Sequence, residues 1–558
     1  MSCLAKFVLI SDLTLLYNYR NFPLLDFLPC APTSALPGFV YSFLRGSEPP
    51  PLENGEVMFS PYSVRKIEAS LLRKFSREHV AVPHFDYVDR FIGEDTEVIG
   101  VSTMDPLGLG PLTMSFAALL GGNETAWVKK EWERLMKRIN AVRGKAKLVV
   151  GGPGVWEFTI MKEELDKYGI DYAIQGETDD VAPELFQQIS DGSLDKNLFY
   201  PGYITYDENF TRYSRPDPRF ITRRIGTRMY PTLDEIPEIV RPSMKGLTEV
   251  MRGCGVGCDF CEVTLRPLRY YSFEKVKKEL EVNAKAGVKN AWIHSDEIFA
   301  YMHGPRFEPN YEALTGLFKS IMSVPGIRHT NPTHGRISIP AGYPDLIKKL
   351  SEIIGAGPDN WIGIQVGLET GSERLARLHM PNKTLPLRVG SDGSWQEIVW
   401  RGVYNLNRYY WRPAFTVQVG QEDETDEDNW ETVALINRLS NSEVDGRPFE
   451  FTVTPMQNVP LGLIKSRAFS SIKLTKSQLA VYYASYRHLA KMAARDAYSE
   501  GGGNIFSRFG ASFLIHAGGW FVMKYIEAIC QRNSLDVEKV KNYGLNGTKA
   551  ITSEIQLV

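Results

Sequence analysis

The first part of this chain is built from short apolar runs that end in glycine and are separated by stretches of helical period. From Glu97 it reads EVIGVSTMDPLGLGP, a β-branched run closed by a glycine-rich loop, and a helical pattern follows from Trp127 to Val142. AKLVVGGPG is a second strand, ending in Gly151 and Gly152; a helix near Met161 to Tyr168 and a third strand, DYAIQGE, come next. The opening MSCLAKFVLISDLTLL has an apolar run with no small-residue cleavage site after it, so it is read as a first strand rather than a signal peptide. Strands alternating with helices in this way predict a parallel, doubly wound α/β sheet. Glycines just past the strand ends allow a large ligand to approach the carboxyl edge closely, although ordinary strand-to-helix turns place glycines there too.

A stretch rich in proline and arginine, from Tyr213 to Pro242, reads as a linker. The alternation then resumes with LTEVMRG, KNAWIHSDE, IRHTNPTHGRIS, NWIGIQVGLETGS, RPAFTVQVG and FEFTVTPM. Six strands spaced by helical segments predict a partial parallel barrel, with chemistry at the carboxyl ends of its strands. Near the C-terminus KSQLAVYYASYRHLAKMAARDA is amphipathic at helical spacing, and a second helix is expected over Ser512 to Gln531. These helices could cap the active site or only the barrel. The expected divisions are 1–215, a linker over 216–245, a barrel over 246–462 and a helical region over 463–558.

Composition narrows the function classes. A chain of 558 residues exceeds what one core ordinarily supports. Its 64 basic and 66 acidic residues leave a net charge of −2, which advertises neither nucleic acid nor an acidic membrane surface. The most apolar stretch, Phe513 to Met523, is cut by His516 and two glycines, so no membrane span and a cytoplasmic location are expected. Six cysteines, three of them crowded together, form no disulfide framework.

The crowded cysteines are Cys254, Cys258 and Cys261 in RGCGVGCDFCEVT. Thiolates are soft ligands for iron–sulfur clusters or zinc. A closed zinc site needs a fourth ligand at similarly short spacing, but the closest histidine is His294, and Cys3, Cys30 and Cys530 are remote. Three thiolates leave one corner of a cubane open to another ligand, while Gly253, Gly255 and Gly257 let the backbone wrap around it. A zinc loop closed by a distant residue stays open as the alternative.

With Phe260 directly before the last cysteine, and a strand directly before the first, this segment resembles the signature of the radical S-adenosylmethionine (SAM) superfamily. The resemblance implies a [4Fe-4S] cluster whose open iron binds SAM and cleaves it to a 5′-deoxyadenosyl radical. WIHSDEIF and VGLETGS are similar to later strand ends of the family, which implies Phe260, Ser295, Asp296, Glu297, Glu369 and Ser372 around SAM, with Gly367 beside them. VGQEDETDED departs from the related G-L-P-G-E-T-x-E-D segment by losing the proline and one glycine, which puts that loop's shape in doubt.

An α/β domain ahead of such a barrel resembles the cobalamin-dependent branch of the superfamily. That implies a Rossmann-like cobalamin-binding domain, a partial (β/α)6 radical SAM barrel and a C-terminal helical domain. Cobalamin would lie against Ser102, Thr103, Met104, Gly108, Gly151, Gly152 and Gly176. The D-x-H-x-x-G ligand motif is absent, and His79 and His84, the only histidines before the cysteines, lack its context, so no histidine is expected on cobalt. The resemblance implies C-methylation of an unactivated carbon, with the demanding chemistry carried by cofactors. No catalytic side chain is assigned; His334, Arg336 and Tyr301 are candidates to shape the pocket.

TMDPLGLGP, IMSVPGIRHTNPTHGRIS and GPDNWIGIQ resemble archaeal members of the branch. This implies a protein or peptide substrate, the alpha subunit of the methanogenesis enzyme methyl-coenzyme M reductase, modified post-translationally at the α-carbon of a glutamine, together with an electron donor. Two alternatives remain: oxidative cyclisation or methylation of a lipid or small metabolite by the same cofactors, and a non-catalytic iron–sulfur or zinc module.

Overall fold

The structure is a computed structural model that describes residues 5–21, 23–120, 125–195, 199–201, 203–206, 212–215, 219–223, 230–459, 473–499 and 505–545. The first sheet contains β1 (Phe7–Ser11), β2 (Val80–Ala81), β3 (Val98–Ser102), β4 (Lys147–Gly151), β5 (Tyr172–Gln175), β6 (Phe199–Pro201) and β7 (Phe220–Arg223). Their order is β2-β1-β3-β4-β5-β7-β6, parallel throughout except for the antiparallel pair of β6 and β7. Both faces are covered, as continuous apolar strands require. Val8 and Ile10 of β1 join Trp132 and Leu135 on one side, while Phe7 and Leu9 join Leu185 and Phe186 on the other. The helix expected from Trp127 to Val142 has those bounds. The sheet runs past residue 215, since β7 lies inside the stretch expected as linker.

The second unit has β8 (Leu247–Glu249), β9 (Asn290–His294), β10 (His329–Pro332), β11 (Ile362–Glu369), β12 (Trp411–Val419) and β13 (Thr452–Gln457). β8-β9-β10 and β11-β12-β13 are parallel, and a parallel bridge between His334 and Gln365 joins the two triplets. All six strands fall where the apolar runs placed them. Along β12 every second residue is buried, the alternation of a curved sheet with an inner face.

Two seams hold the units together. In the helix Tyr62–Leu71, Lys66 pairs with Glu279 of the helix Phe273–Lys285, both side chains buried, and the Tyr62 hydroxyl donates to the same carboxylate at 2.7 Å. At the opposite side the helix Pro111–Leu119 docks on β13: the Gln457 N–H donates to Ser115 Oγ at 2.7 Å, and Phe116 stacks on Tyr486 at 6.4 Å. Tyr486 belongs to the helix Lys476–Ser499, which packs on β13 and on the helix Asp426–Ser440. His488 of that helix meets the Phe451 carbonyl at 2.9 Å. The helix Ile505–Arg532 packs in turn on Lys476–Ser499, so the C-terminal helices cover the barrel's last strand. Among the described residues no helix is long and apolar enough to cross a membrane.

Candidate functional site

The three cysteines sit in one excursion of the chain. Met251–Arg252 pairs antiparallel with Arg269–Tyr270, closing a loop over the residues between. Within it Gly253, Gly255 and Gly257 have φ of 85°, 70° and 84°, and a Cβ on Gly253 would lie 2.5 Å from the Pro267 carbonyl oxygen. Only glycine suits this tight path. The loop is held from two sides: the Gly253 N–H donates to Asp296 at 2.7 Å, and Asp259 pairs with His379 at 2.9 Å. Among the described residues no three His, Cys, Asp or Glu side chains are arranged to hold a single metal ion. What the cysteines share is one glycine-bent loop, in which Cys258 is buried and Cys254 and Cys261 are partly buried, and one neighbouring cation, Lys383.

Burial pushes Cys254 up to about 12 and Cys258 up to about 11, and raises Cys261 as well, while Lys383 pulls all three down. At neutral pH they are thiols until an iron–sulfur cluster takes their protons, as metal binding to cysteine requires. The donor set fits such a cluster: soft sulfur, little water, and backbone wrapped closely on glycine.

The carboxyl ends of the barrel strands meet this loop with polar groups that lack partners. After β9, Ser295 is fully buried and its Oγ has no hydrogen-bond partner among the described residues; Asp296 holds Gly253. Glu297 accepts from the Phe299 N–H at 3.2 Å and faces Arg336 Nε at 3.4 Å. Arg336, which follows β10, lies 4.8 Å from the centroid of Phe307, and none of its guanidinium nitrogens has a hydrogen-bond partner among the described residues. Glu369, ending β11 at φ 63°, pairs with Lys383 at 3.5 Å and keeps Oε2 unpartnered among them. After β12 both amide atoms of Gln421 are likewise unpartnered. Burial raises the carboxyls of Glu297 and Glu369, opposed by Arg336 and Lys383 respectively. Each buried polar group left unpaired costs about 1–3 kcal/mol, so a ring of them at one barrel mouth marks a place a polar ligand completes.

Other expected residues have other occupations. Ser372 caps the helix Glu373–His379 and donates to Asp428 at 2.6 Å. The Tyr301 hydroxyl donates to the Tyr271 carbonyl at 2.7 Å. His334 contacts the Ser295 carbonyl at 3.2 Å, and burial followed by His294 lowers its pKa to about 4, so its ring is neutral. Phe260 is packed in the barrel core.

The residues expected at cobalamin line up along the carboxyl edge of the first sheet. Ser102 ends β3, Gly151 ends β4 and Gly176 follows β5, on three neighbouring strands. Thr103 is tied back by a 3.0 Å bond to the Gly151 carbonyl, whereas Met104 is half exposed. Gly108 and Gly152 have φ of 78° and 92°, and a Cβ on Gly152 would stand 2.7 Å from the Thr103 oxygen. Cβ atoms on Gly151 or Gly176 would meet nothing within 4 Å, so this edge opens onto free space. His79 contacts Ser76 at 2.9 Å, and His84 faces Glu48 at 3.4 Å.

This edge also touches the cysteine loop. Glu177, next to Gly176, bonds Arg252 at 2.6 Å and Arg269 at 2.6 Å, and Asp179 meets Arg252 at 2.6 Å. Despite burial, Arg269 and Arg252 hold Glu177 below the usual carboxylate range. Arg252 lies two residues before Cys254, so the carboxyl edge of the first sheet adjoins the cysteine loop. Lys383, Gln421 and the Glu177–Arg252 contact carry no signal in the sequence, because each gains meaning only from long-range proximity.

Residues 248–436 match the Radical SAM superfamily model. That stretch is a radical SAM domain, and the protein is an enzyme. No curated protein matches the chain. Among solved structures it is similar to the radical S-adenosylmethionine methyltransferase TsrM from Kitasatospora setae with cobalamin and [4Fe-4S] cluster bound, at 14% identity and a TM-score of 0.47, over 81% of this chain and 72% of that one. TsrM with tryptophan substrate and the SAM analog aza-SAM aligns at 14% identity and 0.47, over 77% and 70%.

Proposed function

We propose that this protein is a cytoplasmic, cobalamin-dependent radical SAM C-methyltransferase whose substrate is a peptide segment, namely the α-carbon of a glutamine in the alpha subunit of methyl-coenzyme M reductase. The observation that carries the reading is the join between Glu177 and Arg252, which sets the open carboxyl edge of the first sheet beside the cysteine loop. When bound, the cluster supplies the electron that cleaves SAM to a 5′-deoxyadenosyl radical, and cobalamin supplies the methyl group. Cys254, Cys258 and Cys261 would hold the cluster. Ser295, Asp296, Glu297, Arg336 and Glu369 surround the space beside it, where charged and hydroxyl groups suit the amino, carboxylate and ribose functions of SAM. Ser102, Gly151, Gly152 and Gly176 leave room at the facing strand ends for a flat, bulky macrocycle. The protein's part is to hold the reacting carbon between these two sites and to keep water away, and such positioning is worth about 7–11 kcal/mol.

The peptide assignment rests on the resemblance of TMDPLGLGP, IMSVPGIRHTNPTHGRIS and GPDNWIGIQ to archaeal members of the branch. Mass spectrometry of reductase peptides after anaerobic incubation with reconstituted protein, SAM, cobalamin and an electron donor tests it. The expected product is the glutamine peptide heavier by one methyl group, on the α-carbon. An unmodified peptide beside a methylated lipid or small metabolite would overturn the substrate, and deoxyadenosine with no methylated product would point to oxidative cyclisation.

A further inference from the structure

Lys383 stands where neither the strand pattern nor the cysteine spacing placed a functional group. The segment after the helix Glu373–His379 folds back over the cysteine loop: the Asp259 N–H donates to the His379 carbonyl at 3.1 Å, and a Cβ on Gly257 would lie 3.5 Å from Asn382 Nδ2. Lys383 follows Asn382, its side chain 13% exposed and paired with Glu369 at 3.5 Å. The pair lies over Gly367, where a Cβ would meet Glu369 Oε1 and stand 2.6 Å from Lys383 Nζ. The contact of Asn382 with Gly257, one residue before Lys383, places the pair beside the cysteine loop.

We infer that Lys383 and Glu369 form a buried ion pair beside the cysteine loop that sets the reduction potential of the cluster, the ammonium raising it and the carboxylate lowering it. This rests on the proposed cluster. A reduced cluster carries one more negative charge than an oxidised one, and in a dry site a fixed cation nearby stabilises the extra charge. Lys383 is thus a positioning residue for electron entry, and Glu369 moderates it.

The test is a redox titration of the reconstituted full-length protein, following the paramagnetic signal of the reduced cluster, with iron measured beside it. Lys383→Met should lower the midpoint potential and Glu369→Gln should raise it, each changing the reduction equilibrium by roughly tenfold, about 59 mV for one electron. Lys383→Arg, which keeps the charge, should stay near wild type, and Lys383→Met/Glu369→Gln should fall between the single variants. Loss of packing alone would move both single variants the same way. Full iron content with shifts of the same sign, or with no shift, overturns the inference. Wild-type protein that takes up no cluster overturns the reading on which it rests.

Discussion

Replacing Cys258 by alanine should abolish cluster assembly: iron is expected to fall from about four per chain by roughly tenfold or more, and 5′-deoxyadenosine formation to disappear. The same holds for Cys254 and Cys261. The fold should survive, because the loop is fixed by Asp296 on Gly253, by His379 on Asp259 and by the Met251–Arg252 pairing, none of which uses a thiol. By contrast Cys30, partly buried, and Cys530, buried, are both remote from the loop in sequence and should be replaceable without loss of iron. Cys3 lies outside the described residues. Iron analysis and circular dichroism on the same samples check this. A Cys258→Ala protein with full iron that still makes deoxyadenosine means the ligands are elsewhere, and iron lost with Cys30 or Cys530 would restore the zinc alternative.

Gly151→Leu should cost cobalamin affinity by roughly 100-fold, about 2.8 kcal/mol, with little change in melting temperature. No heavy atom lies within 4 Å of a Cβ at this position and its φ is not in the left-handed region, so a leucine can start without a clash and extend into the space at the end of β4. Gly152→Ala is the contrast. It collides with the Thr103 oxygen at 2.7 Å and forces an alanine to φ 92°, so it should unfold the edge at a cost of about 1–3 kcal/mol whatever binds there. Equilibrium binding of cobalamin, read from its visible spectrum, and thermal melts separate the two effects. If Gly151→Leu binds cobalamin as wild type does, the ligand does not use this edge.

Much of this was legible in the chain. Strands β3 and β4 announce themselves as apolar runs, because a strand covered on both faces has no polar positions to interrupt it, while β5 and the six barrel strands are legible from short runs with β-branched and aromatic residues spaced by helical segments. The cysteine loop was legible from spacing alone, and its glycines for the reason the structure bears out, positive φ beside close backbone. β7 was hidden in a stretch that reads as linker: FITR is short and ends in a charge, and its apolar pair gains meaning only when Phe220 lies opposite Ala173 of β5. Ser372 resembles a ligand in the sequence, yet its hydroxyl serves a helix N-terminus and Asp428. Lys383 and Gln421 show the reverse. Neither stands in a patterned position, and what singles each out is burial together with its neighbours, or the lack of them, which no local reading contains.

Use of SAM both as methyl source and as radical source is tested by counting the products. Reconstituted protein is incubated anaerobically with SAM, cobalamin, an electron donor and the glutamine peptide, and S-adenosylhomocysteine, 5′-deoxyadenosine and methylated peptide are followed together. Near-equal amounts of all three are expected, with deoxyadenosine lost in Cys258→Ala and methylated peptide lost in Gly151→Leu. Methylated peptide formed at the wild-type rate by Cys258→Ala, or formed without deoxyadenosine, would contradict this double use of SAM.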